Sequence, residues 1–173
     1  MFDATVKALT DNGVMVILNN HISNAGWCCS NEDGNGLWYN KDYPEDVWLE
    51  TLENVTRKYQ DNKMVIANDL RNELRDDKKN HKKALWGDLL PGSDWKRAAE
   101  KAGNAIHKIN PDLLIMIEGI NYANDLAVVR LAPAKLEVPN KMVYSAHVYG
   151  FQAFKFDSYE EMVIEYDFMF GFV

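Results

Sequence analysis

Four short apolar runs recur along the chain: VMVIL at residues 14–18, KMVIANDL at 63–70, LLIMI at 113–117 and KMVYSAHVY at 141–149. Each is close to continuously apolar, the pattern of a strand buried on both faces; half-exposed strands alternate instead. Neighbouring parallel strands need a crossover of about a dozen residues or more, and the sequence between the runs supplies it in helical form. Phe2, Val6 and Leu9 fall at helical spacing before Asn12-Gly13 stops the pattern. Trp48, Leu52, Val55 and Tyr59 mark the apolar stripe of a helix that Pro44 opens as its first residue and that runs to about Gln60. Ser93 can cap a third, with Trp95, Ala98, Ala102, Ile106 and Ile109 on its face and Asn110-Pro111 at its end. A short helical stretch is expected near residues 123–132, and Ser158 with Glu161 reads as a capping box opening the last helix. The order α-β-α-β-α-β-α-β-α predicts an α/β fold with a parallel sheet covered on both faces, in a single domain spanning 1–173.

Charge narrows the partners. The 26 acidic residues against 19 basic ones leave a net charge of −7, which repels phosphate backbones and anionic lipid surfaces, so nucleic acid and membranes are not expected partners. No stretch approaches the roughly 18 uninterrupted apolar residues of a membrane span, and MFDATVKALT has neither the basic nor the apolar region of an export signal. Cys28 and Cys29 are neighbours, and Cα atoms about 3.8 Å apart fall short of the span a relaxed disulfide prefers, so they are not expected to bridge each other. The run RDDKKNHKK, residues 75–83, reads as solvated surface, as do His81 and His107.

In parallel α/β sheets function gathers on the loops after the C-terminal ends of the strands. Here those exits carry Asn19-Asn20-His21, Asn72-Glu73, Glu118-Gly119 and His147-Val148-Tyr149, and the first is followed by a loop to Asp42 rich in Asn, Gly, Ser and aromatic residues. Asn, His and Glu bind sugar hydroxyls and aromatic rings stack on sugar faces, so the set suits a carbohydrate. A carboxylic acid beside a glycosidic oxygen can protonate the leaving group, which makes Glu73 a general-acid candidate. The bland reading is a surface Glu73 paired with Arg71 or Arg75. His147 and Tyr149 lie two apart on a strand and so point to one face. Among the tryptophans, Trp95 belongs to a helix face and the core, whereas Trp27 and Trp38 are loop residues that could touch sugar.

The residues GWCCSNEDGNGLW following a strand that ends in His21, then NE at 72–73, then HVYGF at 147–151, come in the order in which glycoside hydrolase family 5 carries its motifs. The chain resembles the plant and fungal type of that cellulase-like family of clan A, over nearly its whole length. The resemblance implies a partial TIM (β/α)8 barrel, parallel strands three to six with flanking helices, from about helix two to helix six. It implies that Glu73 is the acid/base, that Asn72 binds the sugar 2-hydroxyl, that His21 lines the same subsite, and that His147 and Tyr149 contact substrate, with Trp27 as a sugar-stacking wall.

The same resemblance implies what is missing. The family's nucleophile sits at the end of strand seven, and strands one, two, seven and eight, with the family's early Arg and late Trp, have no counterpart here. A retaining mechanism needs its two carboxyl groups about 5–5.5 Å apart, and Glu118 is expected to be in the wrong place to serve. Residues 1–173 thus read as a single incomplete glycoside hydrolase catalytic domain, inactive and poorly folded by itself, its sheet left with two open edges. No cofactor or metal is expected, the substrate is a β-linked polysaccharide or oligosaccharide, and the full-length protein is expected in the secretory pathway or outside the cell. Two alternatives stand beside this: a non-catalytic carbohydrate-binding remnant, and a metal-dependent barrel enzyme using His21, Glu73 and His147 as ligands.

Overall fold

The structure is a computed structural model describing residues 1–26 and 29–173, with the side chains of 153 and 154 outside the described set. Helix α1 (Phe2–Asp11) leads to strand β1 (Val16–Asn19), α2 (Glu45–Tyr59) to β2 (Val65–Asp69), α3 (Trp95–His107) to β3 (Leu114–Glu118), and β4 (Met142–Ser145) is followed by α4 (Tyr159–Met169). The strands form one parallel sheet in the order β1-β2-β3-β4, as the near-continuous apolar runs predict. No helix of the described residues is long and apolar enough to cross a membrane.

Register decides which residues share a face, because paired residues in a sheet point the same way and neighbours along a strand alternate. Asn19 pairs with Asp69, Asp69 with Met116 and Met116 with Val143. Glu118, two residues past Met116, therefore rises on the same face as Asp69 and one step nearer the C-terminal end. The opposite face carries Leu18, Ile115 and Ile117, all buried. The first face is more open at its margins, where Ile17 is 47% exposed and Val143 37%. Apolar side chains on the two outer strands are thus left in water at the open edges of the sheet.

Beneath the strand exits lies a tryptophan cluster. The rings of Trp38 and Trp95 are 5.5 Å apart, those of Trp48 and Trp95 6.0 Å. Buried indoles need a partner for their N–H, and each has one: Trp95 donates to the Glu118 carbonyl at 2.9 Å, Trp48 to the Leu70 carbonyl at 3.1 Å and Trp38 to Glu45 Oε2 at 3.0 Å. Two of the three thus tie helices to the ends of β2 and β3. Trp95 is core, as expected, but Trp38 is wholly buried and cannot be a sugar wall. The loop carrying it is folded inward by Arg71, which donates to Asn35 O at 2.7 Å, and by the Gly36 carbonyl, which accepts from Arg75 N at 2.9 Å.

Other local expectations shift for identifiable reasons. Asp94 caps α3 in place of Ser93, since its carboxylate accepts from Arg97 N, Gly87 N and Leu89 N together, while Ser93 Oγ donates to Asp88. Pro44 precedes α2 as its N-cap instead of opening it, Ile109 lies beyond the end of α3, and the stretch near 123–132 is a short 3-10 turn, Ala127–Arg130. The capping box holds, with Glu161 N donating to Ser158 Oγ at 3.1 Å. His107 is buried, not solvated, because its Nε2 donates to the Leu113 carbonyl at 3.0 Å and joins α3 to the start of β3. The charge run is also less exposed than it reads: Arg75 and Asp77 are buried, Arg75 in a 2.6 Å ion pair with Asp33.

Trp95 sits at the crossing of these contacts. Trp95→Ala is expected to cost about 3–5 kcal/mol, and Trp95→Phe, which keeps a ring but orphans the Glu118 carbonyl, about 1–3 kcal/mol. Urea-unfolding midpoints of the two variants check the order.

Candidate active site

Glu73 stands just past the end of β2 with its backbone in the left-handed region, φ 44°. For a residue with a Cβ that conformation costs about 1–2 kcal/mol and persists where the surroundings over-determine it. What holds it is local. Its N–H donates to Glu118 Oε2 at 2.7 Å, its carbonyl accepts from Arg75 Nη1 at 3.1 Å, and the preceding Asn72 N–H donates to the Asn20 carbonyl at 3.0 Å. The bland pairing with Arg71 or Arg75 is not what forms: Arg75 holds the Glu73 main chain, and Arg71 donates to Asn35 O and Asn20 Oδ1. The buried side chain is left to other partners.

Those partners come from the exit of β4. Tyr149 donates its hydroxyl to Glu73 Oε1 at 2.6 Å, and His147 Nδ1 lies 3.0 Å from the same oxygen. Both residues fall beyond the strand, which ends at Ser145, so convergence comes from the segment after it rather than from strand alternation. His147 is fixed from behind by its N–H, which donates to the Ala123 carbonyl at 3.1 Å, and Ala123 ends a left-handed run, Asn121–Ala123, with φ of 55–60°. With Glu73 ionised, the proton of the 3.0 Å contact belongs to His147 Nδ1, and Nε2 turns toward Glu118 Oε1, 3.4 Å away. Glu73 Oε2 faces Cys29 Sγ at 3.5 Å. Cys29 is held in a disulfide, so this sulfur has no proton to give. Whether Cys28 and Cys29 bridge turns on Cys28, which lies outside the described residues.

A second carboxyl layer lies below. Glu118 is wholly buried and shares its sheet face with Asp69 of the neighbouring strand. Burial pushes the Glu118 carboxyl up to about 9, and the neighbouring negative charge of Asp69 adds to the effect. Burial raises Asp69 as well, against the hydrogen bond it accepts from Asn19 Nδ2 at 2.8 Å. Glu118 is thus neutral at neutral pH. Asn19 Oδ1 in turn lies 3.0 Å from His21 Nδ1, so a chain of contacts runs from His21 through Asn19 to Asp69, and Glu118 on the same sheet face holds the Glu73 main chain.

Of the residues expected from sequence, Glu73, His147 and Tyr149 are brought into direct contact and Asn72 lies beside them. His21 is exposed and meets Asn19, and Trp27 lies outside the described residues. Sequence reasoning did not find Asp69 or the role of Glu118 beside it. The available signal was an acidic residue ending each of two apolar runs, VIAND and LIMIE, where a buried charge demands a partner. Among the described residues no three His, Cys, Asp or Glu side chains gather as a metal site.

Comparison with known proteins places this arrangement. The family model for cellulase, glycosyl hydrolase family 5, matches residues 1–168. A glycosyl hydrolase 5 family protein of Chamaecyparis obtusa is 34% identical over 146 residues, covering 84% of this chain and 24% of that protein. An endoglucanase of Paenibacillus polymyxa is 33% identical over 161 residues, 87% of this chain and 38% of its own length. Among solved structures, the hyperthermophilic endocellulase from the archaeon Pyrococcus horikoshii superposes with a TM-score of 0.82 at 28% identity, over 99% of this chain and 52% of that one. The chain therefore spans between a quarter and about half of the relatives it matches. Its four parallel strands and their helices correspond to part of the TIM barrel of those enzymes. On its sequence, its fold and the family model that covers it nearly end to end, the chain belongs to the cellulase family, glycosyl hydrolase family 5.

Proposed function

We propose that the protein cleaves O-glycosidic bonds of a β-linked glucan by a retaining two-carboxylate mechanism in which Glu73 is the general acid/base. The observation that carries this reading is the division of labour between the two oxygens of Glu73. Oε1 is held by the Tyr149 hydroxyl and His147 Nδ1, which leaves Oε2 as the oxygen for proton exchange with a glycosidic oxygen. The two donors also stabilise the carboxylate that remains once the proton has passed to the leaving group. Asn72, His21, His147 and Tyr149 line the sugar site in this reading, and Trp27 belongs to it by resemblance.

The attacking carboxylate is the part this chain does not supply. Glu118 is close but wholly buried and neutral, so it can neither reach an anomeric carbon nor act as a nucleophile. Residues 1–173 act here as one incomplete catalytic domain, and the chain by itself is inactive. A glucan substrate is supported by the relatives named endoglucanase and by the Pyrococcus horikoshii endocellulase solved in complex with cellotetraose. A place outside the cell is supported by the relative named major extracellular endoglucanase of Xanthomonas campestris. One observation favours a second reading, a non-catalytic carbohydrate-binding remnant. The Tyr149 and Phe151 rings stack at 5.2 Å and 16°, with Phe151 65% exposed, a flat platform suited to a sugar face without any nucleophile.

Two measurements test these readings. Affinity electrophoresis in cello-oligosaccharide-bearing gels is expected to retard the purified chain. Phe151→Ala is expected to weaken binding about ten-fold, equivalent to about 1.4 kcal/mol, while hydrolysis of carboxymethylcellulose stays undetectable; turnover by the unaltered chain would sink the claim of inactivity. The second uses the Tyr149 phenol, pushed up to about 12 by its hydrogen bond to Glu73 and by burial. A phenol raised above its unfolded value contributes stability that is whole below about pH 10 and lost as pH climbs through 12. Glu73→Ala is therefore expected to return one tyrosine toward about 10 in ultraviolet difference titration. Tyr59, also raised to about 12, by burial and by Asp3, stays unchanged as the internal control.

A further inference from the structure

The carboxyl pair below Glu73 is unaccounted for by the reaction. Asp69 Oδ1 and Glu118 Oε1 are both fully buried and no N–H or O–H group of the described residues donates to either. Their companion oxygens are taken, Asp69 Oδ2 by Asn19 Nδ2 at 2.8 Å and Glu118 Oε2 by Glu73 N at 2.7 Å. The register sets Asp69 and Glu118 on one face of neighbouring strands, and burial raises both carboxyls. The pair also meets the site at two separate points. It anchors the main chain of Glu73, whose left-handed backbone needs an external hold, and it backs His147, whose Nε2 lies 3.4 Å from Glu118 Oε1.

We propose that Glu118 is a positioning residue of this enzyme: it clamps the Glu73 main chain and stands behind His147, so the Glu73 carboxyl keeps one oxygen for its donors and the other for the sugar. This rests on the reading of Glu73 as the acid/base. The neutral form matters. An ionised Glu118 beside Asp69 and Glu73 would set three carboxylates around one imidazole, and His147 would then be drawn toward Glu118 and away from Glu73. The charged and titratable groups around Glu118 are Asp69 on β2, Glu73 and Arg71 after it, and His147 and Tyr149 after β4. High burial of Glu118 supports the same protonation state independently of the network.

The proposal separates Glu118→Gln, which copies a protonated carboxyl, from Glu118→Ala, which removes the clamp. In the 15N-labelled 173-residue chain the Glu73 amide proton is expected well downfield of its random-coil position and slow to exchange. Glu118→Gln should keep both properties and Glu118→Ala should lose them. As pH rises toward 9, the Glu73 amide and the His147 ring signals are expected to move together in the unaltered chain and to stay still in Glu118→Gln. A random-coil Glu73 amide in the unaltered chain, an unchanged one in Glu118→Ala, or Glu118→Gln behaving like Glu118→Ala would each overturn the proposal. None of these readouts needs turnover. A clamp that behaves as described in a chain that cello-oligosaccharide gels do not retard would overturn the positioning role through the function it serves, leaving the clamp itself in place.

Discussion

Glu118 brings a carboxyl group to the end of a central strand with no solvent exposure, and a charge cannot sit there uncompensated. The arrangement around it answers that cost. Asp69 lies on the same face of the neighbouring strand because the β2–β3 register sets it opposite Met116, two residues short of Glu118. Burial keeps Glu118 protonated, which removes a charge that the interior would otherwise penalise, and Asp69 and Glu118 each receive a hydrogen bond, from Asn19 and from the Glu73 main chain. Trp95 closes the other side by donating to the Glu118 carbonyl. The exit of β3 is thereby tied to β1, to β2, to α3 and to the residue proposed to do the chemistry.

The site inherits its geometry from that knot. Glu73 is held by its backbone, in a conformation that an L-residue adopts only under constraint, and so its side chain is left available to Tyr149 and His147. The left-handed turn at Asn121–Ala123 does the corresponding service for His147. Left-handed backbone thus occurs at both points from which the site is built, as it does at His81, Leu89 and Asn140 elsewhere.

The four strands correspond to part of the TIM barrel of the relatives. The sheet face that carries Asp69 and Glu118 is sealed by polar contacts at its C-terminal end, while Ile17 and Val143 on the outer strands are open to water. In the Pyrococcus horikoshii endocellulase about half of the chain lies outside the region matched here. In the proposed reading the same face supplies the acid/base side of a two-carboxylate site, so a binding role and a catalytic role draw on the same residues.

Much of this was legible in the sequence. Four continuous apolar runs with helical spacing between them determine a parallel α/β sheet, because only a sheet covered on both faces buries such strands. The placement of Asn72-Glu73 and His147–Tyr149 just past two of those runs determines that they share one end of it. What the sequence did not determine was every contact made across elements. Trp38 in a polar loop reads as exposed, yet Arg71 and Arg75 draw that loop onto the core. His107 reads as solvated, yet it spans to the Leu113 carbonyl. Arg75 lies in a charge run that looks like surface, yet it pairs with Asp33, forty-two residues away in the chain. Asp69 and Glu118 look like ordinary strand ends until register brings them together. Local periodicity reports which way a side chain faces; it carries no information on what arrives to meet it, and for buried polar groups that partner decides charge, strain and role.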